Sequence, residues 1–114
     1  MGDTARKGDI GLAQAIAAFT RVGFNVSIPI SESLGYDLIV EQNLNLYKVQ
    51  VKFSTIKCVD LRGTYTNTKE TIMTYPNGSF DWLYVFYDDN DYLIKDSLIG
   101  RSTVSVNEFY KMRG

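Results

Sequence analysis

Three polar side chains, Asp37, Gln50 and Lys52, fall where a strand pattern would gather them. Strand residues alternate between faces, so Tyr47, Val49, Val51 and Phe53 form one apolar face of the segment Tyr47–Phe53. Lys48, Gln50 and Lys52 share the other face. Taken alone, this is also the pattern of an amphipathic edge strand with its polar side in water. The preceding segment adds a carboxylate. Leu38-Ile39-Val40 is apolar on both faces, as in a strand covered on two sides, and Asp37 stands at its start. A hairpin closed by the polar stretch Gln42-Asn43-Leu44-Asn45 brings Asp37 beside Gln50 and Lys52. A carboxylate, an amide oxygen and an ammonium at one end of a buried sheet suit a hard cation, Mg2+ or Mn2+, which takes oxygen ligands. Such a cation acidifies a bound water and neutralises phosphate charge, while a lysine orients the water or stabilises developing charge. Phosphodiester hydrolysis is the chemistry this set allows.

The composition narrows the alternatives. The chain has 114 residues and no histidine, so Ser-His-Asp triads, Cys-His pairs and His-ligated metals are excluded. The single cysteine, Cys58, forms no intrachain disulfide and anchors no zinc cluster alone; its expected place is a half-buried strand or loop. Hydrophobic residues at 45% and charged residues at 22% describe one ordinary globular domain spanning 1–114. A domain of this size has little surplus stability and gains from self-association. No stretch reads as a signal peptide or a membrane span, so a cytoplasmic location is expected.

The elements that must position the three residues follow from periodicity. Leu12, Ile16 and Phe19 make an apolar stripe on a helix from about Asp9 to Arg21, with Asp9 as its N-cap and Gly23 just past its end. Ala13, Ala15, Ala17 and Ala18 let that helix pack closely on a sheet. Strands are expected at Phe24–Ile28, ended by Pro29, at Tyr36–Glu41, Leu46–Phe53, Trp82–Tyr87 and Tyr92–Lys95, with the segment Ile72–Tyr75 between the third and the fourth. Ser54 to Thr71 reads as an arm or loop, and Ser105 with Glu108 has capping-box spacing before a short last helix. The order implies an α/β fold: a mixed β-sheet with an N-terminal helix and a short C-terminal helix.

The ordered series Lys7-Gly8-Asp9-Ile10-Gly11, Gly23-Phe24-Asn25-Val26 with Pro29, Tyr36-Asp37-Leu38-Ile39-Val40 and Tyr47-Lys48-Val49-Gln50-Val51-Lys52 resembles the PD-(D/E)XK endonucleases. It is most similar to the subgroup that writes its second half-motif Gln-X-Lys, which includes small homing endonucleases of group I introns. The resemblance spans about residues 7 to 53 and continues loosely into Trp82–Tyr87. It implies a restriction-endonuclease-like core, a divalent metal, double-stranded or branched DNA as partner, and a homodimer or homotetramer. By motif, Asp37 is the metal carboxylate, Gln50 the second metal-side ligand and Lys52 the catalytic lysine.

One position departs from that pattern. The family carries a glutamate after the second glycine of the first helix; here Leu12 stands there. Asp9, one turn earlier, and Glu32, in the loop before Asp37, are the candidate substitutes. A non-catalytic binding module on a degenerate nuclease fold is therefore the alternative to a metal-dependent endonuclease. A Holliday-junction-type resolvase is a further one. The net charge of −1 is not that of an electrostatic DNA binder, but its distribution is uneven. Between Leu44 and Glu70, five bases (Lys48, Lys52, Lys57, Arg62, Lys69) face two acids (Asp60, Glu70), so Lys48, Lys57, Arg62 and Lys69 are candidate phosphate contacts.

Overall fold

The computed structural model describes residues 3–31, 35–61, 79–98 and 101–112. One helix, α1 (Asp3–Arg21), is followed by β1 (Asn25–Ser27), β2 (Leu38–Gln42), β3 (Asn45–Ser54), β4 (Cys58–Asp60), β5 (Trp82–Tyr87), β6 (Asn90–Ile94), β7 (Thr103–Ser105) and a single 3-10 turn, Glu108–Tyr110. Five strands form a mixed sheet in the order β1-β2-β3-β5-β6, and β4 pairs with β7 in a second, two-stranded sheet. The expected α/β class, a mixed sheet with an N-terminal helix, is what the structure shows.

The sheet is the middle of three layers. On one face α1 buries Ala15, Ala18 and Phe19 against Leu38, Val40, Val49, Trp82 and Tyr84. On the other face Val59, Val104 and Val106, from the small sheet and the residues after it, cover Leu83, Val85, Tyr92 and Ile94. The alanines matter because the helix lies close. A Cβ built on Gly11 would sit 3.4 Å from the Phe53 Cβ and 3.5 Å from a Val51 methyl. The helix begins at Asp3, so Asp9 is an exposed residue of its interior and not the N-cap that the sequence suggested. The pattern missed the first turns because residues 6–10 are all exposed and so carry no apolar periodicity.

Gly23 does end the helix. Its φ of +99° lets the Phe24 amide reach back to the Phe19 carbonyl at 2.9 Å while its own amide meets Thr20 at 3.1 Å. These are the two bonds of a Schellman cap. At the helix end, Arg21 lies 3.4 Å from Asp91, whose carboxylate also accepts the Tyr84 hydroxyl. Burial and that bond push the Tyr84 phenol well above its ordinary value, so it stays a donor.

Both hairpins are tighter than the sequence suggested. Gln42 pairs with Asn45, leaving Asn43 and Leu44 at φ 54° and 68°, and Asp88 and Asp89 take the same positive φ between β5 and β6. Two consecutive positive φ values belong to a type I′ turn, whose twist matches that of the strands. Leu44 is 92% exposed there and contributes no packing to offset its left-handed backbone. Leu44→Gly should raise the urea midpoint, stabilising the fold by up to about 1 kcal/mol with an unchanged denaturant slope.

Three further expectations are corrected. The arm after β3 contains a strand, β4, on which Cys58 is exposed, not half-buried. Its register with β7, Val59 opposite Val104, rests on alternations too short to read as strands. The last helix is one 3-10 turn capped by Asn107, whose side-chain oxygen takes the Phe109 amide at 2.8 Å; Ser105 instead ends β7. Ile72–Tyr75 lies outside the described residues.

Candidate active site

The approach to β2 is set by Gly35. It takes φ +97°, and a Cβ on it would fall 2.6 Å from the Ser79 Cβ, at the entry to β5. From there the chain joins β3. The Asp37 amide, just before β2, donates to the Val49 carbonyl at 2.8 Å, so Asp37 meets the same residue of β3 that is paired with Leu38. Its Oδ2 accepts the Val51 amide at 2.9 Å. Alternation along β3 turns Gln50 and Lys52 to the side of the sheet away from α1, and the Asp37 carboxylate meets the strand between them, at Val51.

The floor of this site is apolar. Parallel pairing sets Leu83 beside Gln50 and Val85 beside Lys52, both fully buried. Gln50 is 8% exposed, the one buried polar residue among the described residues, and its Nε2 lies 3.3 Å from the Val51 carbonyl. The entry to β5 is clamped from Asp81: its carboxylate accepts the Lys48 amide and its own amide donates to the Lys48 carbonyl, each at 2.8 Å. Sequence reading missed Asp81, because a carboxylate before an aromatic strand looks like any turn residue.

Electrostatics follow from this placement. Burial pushes the Asp37 carboxyl above its usual range, against the Val51 hydrogen bond and the Lys52 charge, which pull it down. Burial likewise lowers the Lys52 ammonium, while Asp37 and then Asp60 hold it up. Each of the two charges is thus partly neutralised by the other in a place that favours neither.

The donors fit a hard cation. A carboxylate whose charge is unfavourably buried and a neighbouring amide oxygen are oxygen ligands of the kind Mg2+ or Mn2+ prefers, and a divalent charge would offset the desolvation of Asp37. Among the described residues, no three carboxylates or thiols gather.

The remaining expected residues are placed as follows. Leu12 is partly buried against the helix-side core, whereas Asp9 is exposed. Lys48, on the same strand face as Gln50, has its Nζ 5.6 Å from the Tyr36 ring centroid, and Lys57 is exposed in the turn before β4. Glu32, Arg62 and Lys69 lie outside the described residues.

This architecture is that of a nuclease. A solved structure of a bacterial homing endonuclease, I-Ssp6803I, matches with a TM-score of 0.74 and 27% identity, covering 94% of this chain and 80% of that one. The family model described as PD-(D/E)XK endonuclease matches residues 2–106, and the chain belongs to that family. Among curated proteins none matches the chain. Among the described residues no helix is long and apolar enough to cross a membrane.

Proposed function

We propose that the chain is a metal-dependent DNA endonuclease of the homing type, hydrolysing phosphodiesters at Asp37, Gln50 and Lys52. The observation that carries this reading is the Asp37 carboxylate, bound to the Val51 amide at 2.9 Å, with the Lys52 charge acting on it over an apolar floor. Asp37 and Gln50 are the residues that would hold Mg2+ or Mn2+, which supplies an acidified water and neutralises phosphate charge. Lys52 donates hydrogen bonds to the scissile phosphate and orients the attacking water. The buried Leu83 and Val85 exclude bulk water, which strengthens each of these interactions. Lys48 and Lys57, with Arg62 and Lys69, contribute phosphate contacts on the duplex. A homodimer or homotetramer would present one such site to each strand.

The test is cleavage of supercoiled, linear and branched DNA with Mg2+ or Mn2+ and with chelator. Metal-dependent, sequence-selective cutting of duplex is the expected result. Cutting confined to branched DNA would make the chain a junction resolvase, and binding without cutting a non-catalytic module.

One observation favours that last reading: Leu12 packs against the helix-side core where the family carries a glutamate. With one carboxylate the site should bind Mg2+ weakly until DNA phosphate joins it, because ligand charge governs affinity. The helix runs over Val51 at Gly11, and Val51 carries Asp37, so a glutamate at position 12 starts near the site. Leu12→Glu should therefore tighten Mg2+ binding in calorimetry while lowering stability by about 1–2 kcal/mol through lost apolar burial.

A further inference from the structure

Two acids act on Lys52, and only one of them belongs to the motif. The second is Asp60, on β4. Val59 faces inward and is 2% exposed, so the alternation of β4 turns Cys58 and Asp60 to its other face. That face closes a cleft of about 310 Å³ whose walls include Lys52, Ser54, Cys58 and Asp60. The strand is fixed by its pairing with β7, Asp60 opposite Thr103, and by the Leu61 amide on the Ser102 carbonyl at 2.8 Å. Asp60 therefore stands on a paired strand and shares a cleft with Lys52, whereas Asp37 acts on the same lysine from just before β2.

We propose that Asp60 is a positioning residue for Lys52, holding its ammonium toward the cleft so that the lysine is aimed at the scissile phosphate. This rests on the endonuclease reading above and adds to it a carboxylate from outside the two half-motifs. A lysine has four rotatable bonds and a compact charge, so a half-buried one between two fixed carboxylates loses its alternative orientations before substrate arrives. The small sheet then has a catalytic purpose as well as a packing one. It carries the second of the two acids that frame the lysine.

The experiment is a double-mutant cycle between Asp60 and Lys52, read in two ways. In single-turnover cleavage, Asp60→Ala should lower the rate about 10- to 100-fold with DNA affinity and Mg2+ dependence little changed. Asp60→Glu should recover much of the loss. In the Lys52→Ala background, adding Asp60→Ala should cost nothing further, because the residue it positions is gone. Full additivity of the two losses would overturn the proposal. So would an Asp60→Ala defect that excess Mg2+ repairs, since that would make Asp60 a metal ligand. The second reading uses urea unfolding of the same four proteins, where the Asp60–Lys52 pair should show a non-additive midpoint. Independent midpoints would count against the contact even if no DNA were cut. A parent protein that does not cleave, with coupled midpoints, would instead sink the endonuclease reading alone.

Discussion

Asp37→Asn should abolish cleavage, by 1,000-fold or more, while leaving the protein as stable as the parent or more so. Asparagine keeps an oxygen for the Val51 amide, so the bond that joins β2 to β3 survives. What it loses is the charge that a divalent cation requires. The stability half follows from burial. The Asp37 carboxyl is raised in the folded state, so the folded protein holds a proton that the unfolded chain has released. Its contribution to stability is therefore full below the unfolded value and lost as pH rises through the folded one. Lys52 is lowered, and its cost is present wherever the ammonium is charged, fading only as pH rises through its folded value. Burial disfavours the charged form of both groups, as expected of groups placed for chemistry. Thermal melts at an acid pH near the ordinary carboxylate value of 3.8 and at neutrality check this: the variant should gain on the parent as pH rises between them. A variant that melts well below the parent at both would show that the carboxylate is structural.

Gly35→Ala should be the most destabilising single-methyl change near the site. A non-glycine residue at φ +97° costs about 1–2 kcal/mol from its backbone alone. Its Cβ would then lie 2.6 Å from the Ser79 Cβ and 3.2 Å from the Ser79 carbonyl oxygen. Relief requires a shift of the segment, costing about 1–3 kcal/mol more. Against a typical stability of about 5–15 kcal/mol, that is a large fraction. The shift has a second effect, because Gly35 is two residues from Asp37. Cleavage should fall even at temperatures where circular dichroism shows the variant folded. Gly11→Ala provides the contrast: its Cβ would meet ordinary contacts at 3.4–3.6 Å and should be tolerated.

The legible part of the molecule was what alternation and chain order record. Tyr47–Phe53 announced both of its faces, and the structure keeps them: Val49 and Val51 turn to the helix, Gln50 and Lys52 away from it. Asp37 was placed by hairpin arithmetic alone, and the Val51 bond realises that placement. The small sheet was not legible, because three-residue strands give one apolar residue each, Val59 and Val104, and no period. Asp60 was hidden with it. In sequence it is one acid in a basic stretch; its relation to Lys52 exists only once β4 folds back over the end of β3. The early part of α1 was missed for the opposite reason, since the exposed residues 6–10 leave no hydrophobic signal.

The parallel pairing of β3 with β5 has a consequence for the order of events in folding. Each joins a tight antiparallel hairpin, β2–β3 and β5–β6, whose partners are adjacent in sequence and whose formation takes on the order of microseconds. Bringing Gln50 against Leu83 and Lys52 against Val85 instead closes a loop of some thirty residues. That closure carries an entropic cost before any contact rewards it, so docking of the two preformed hairpins is the slow step. The lysine gains its apolar neighbours only in that step, and a chain stalled before it would display native hairpins without a working centre.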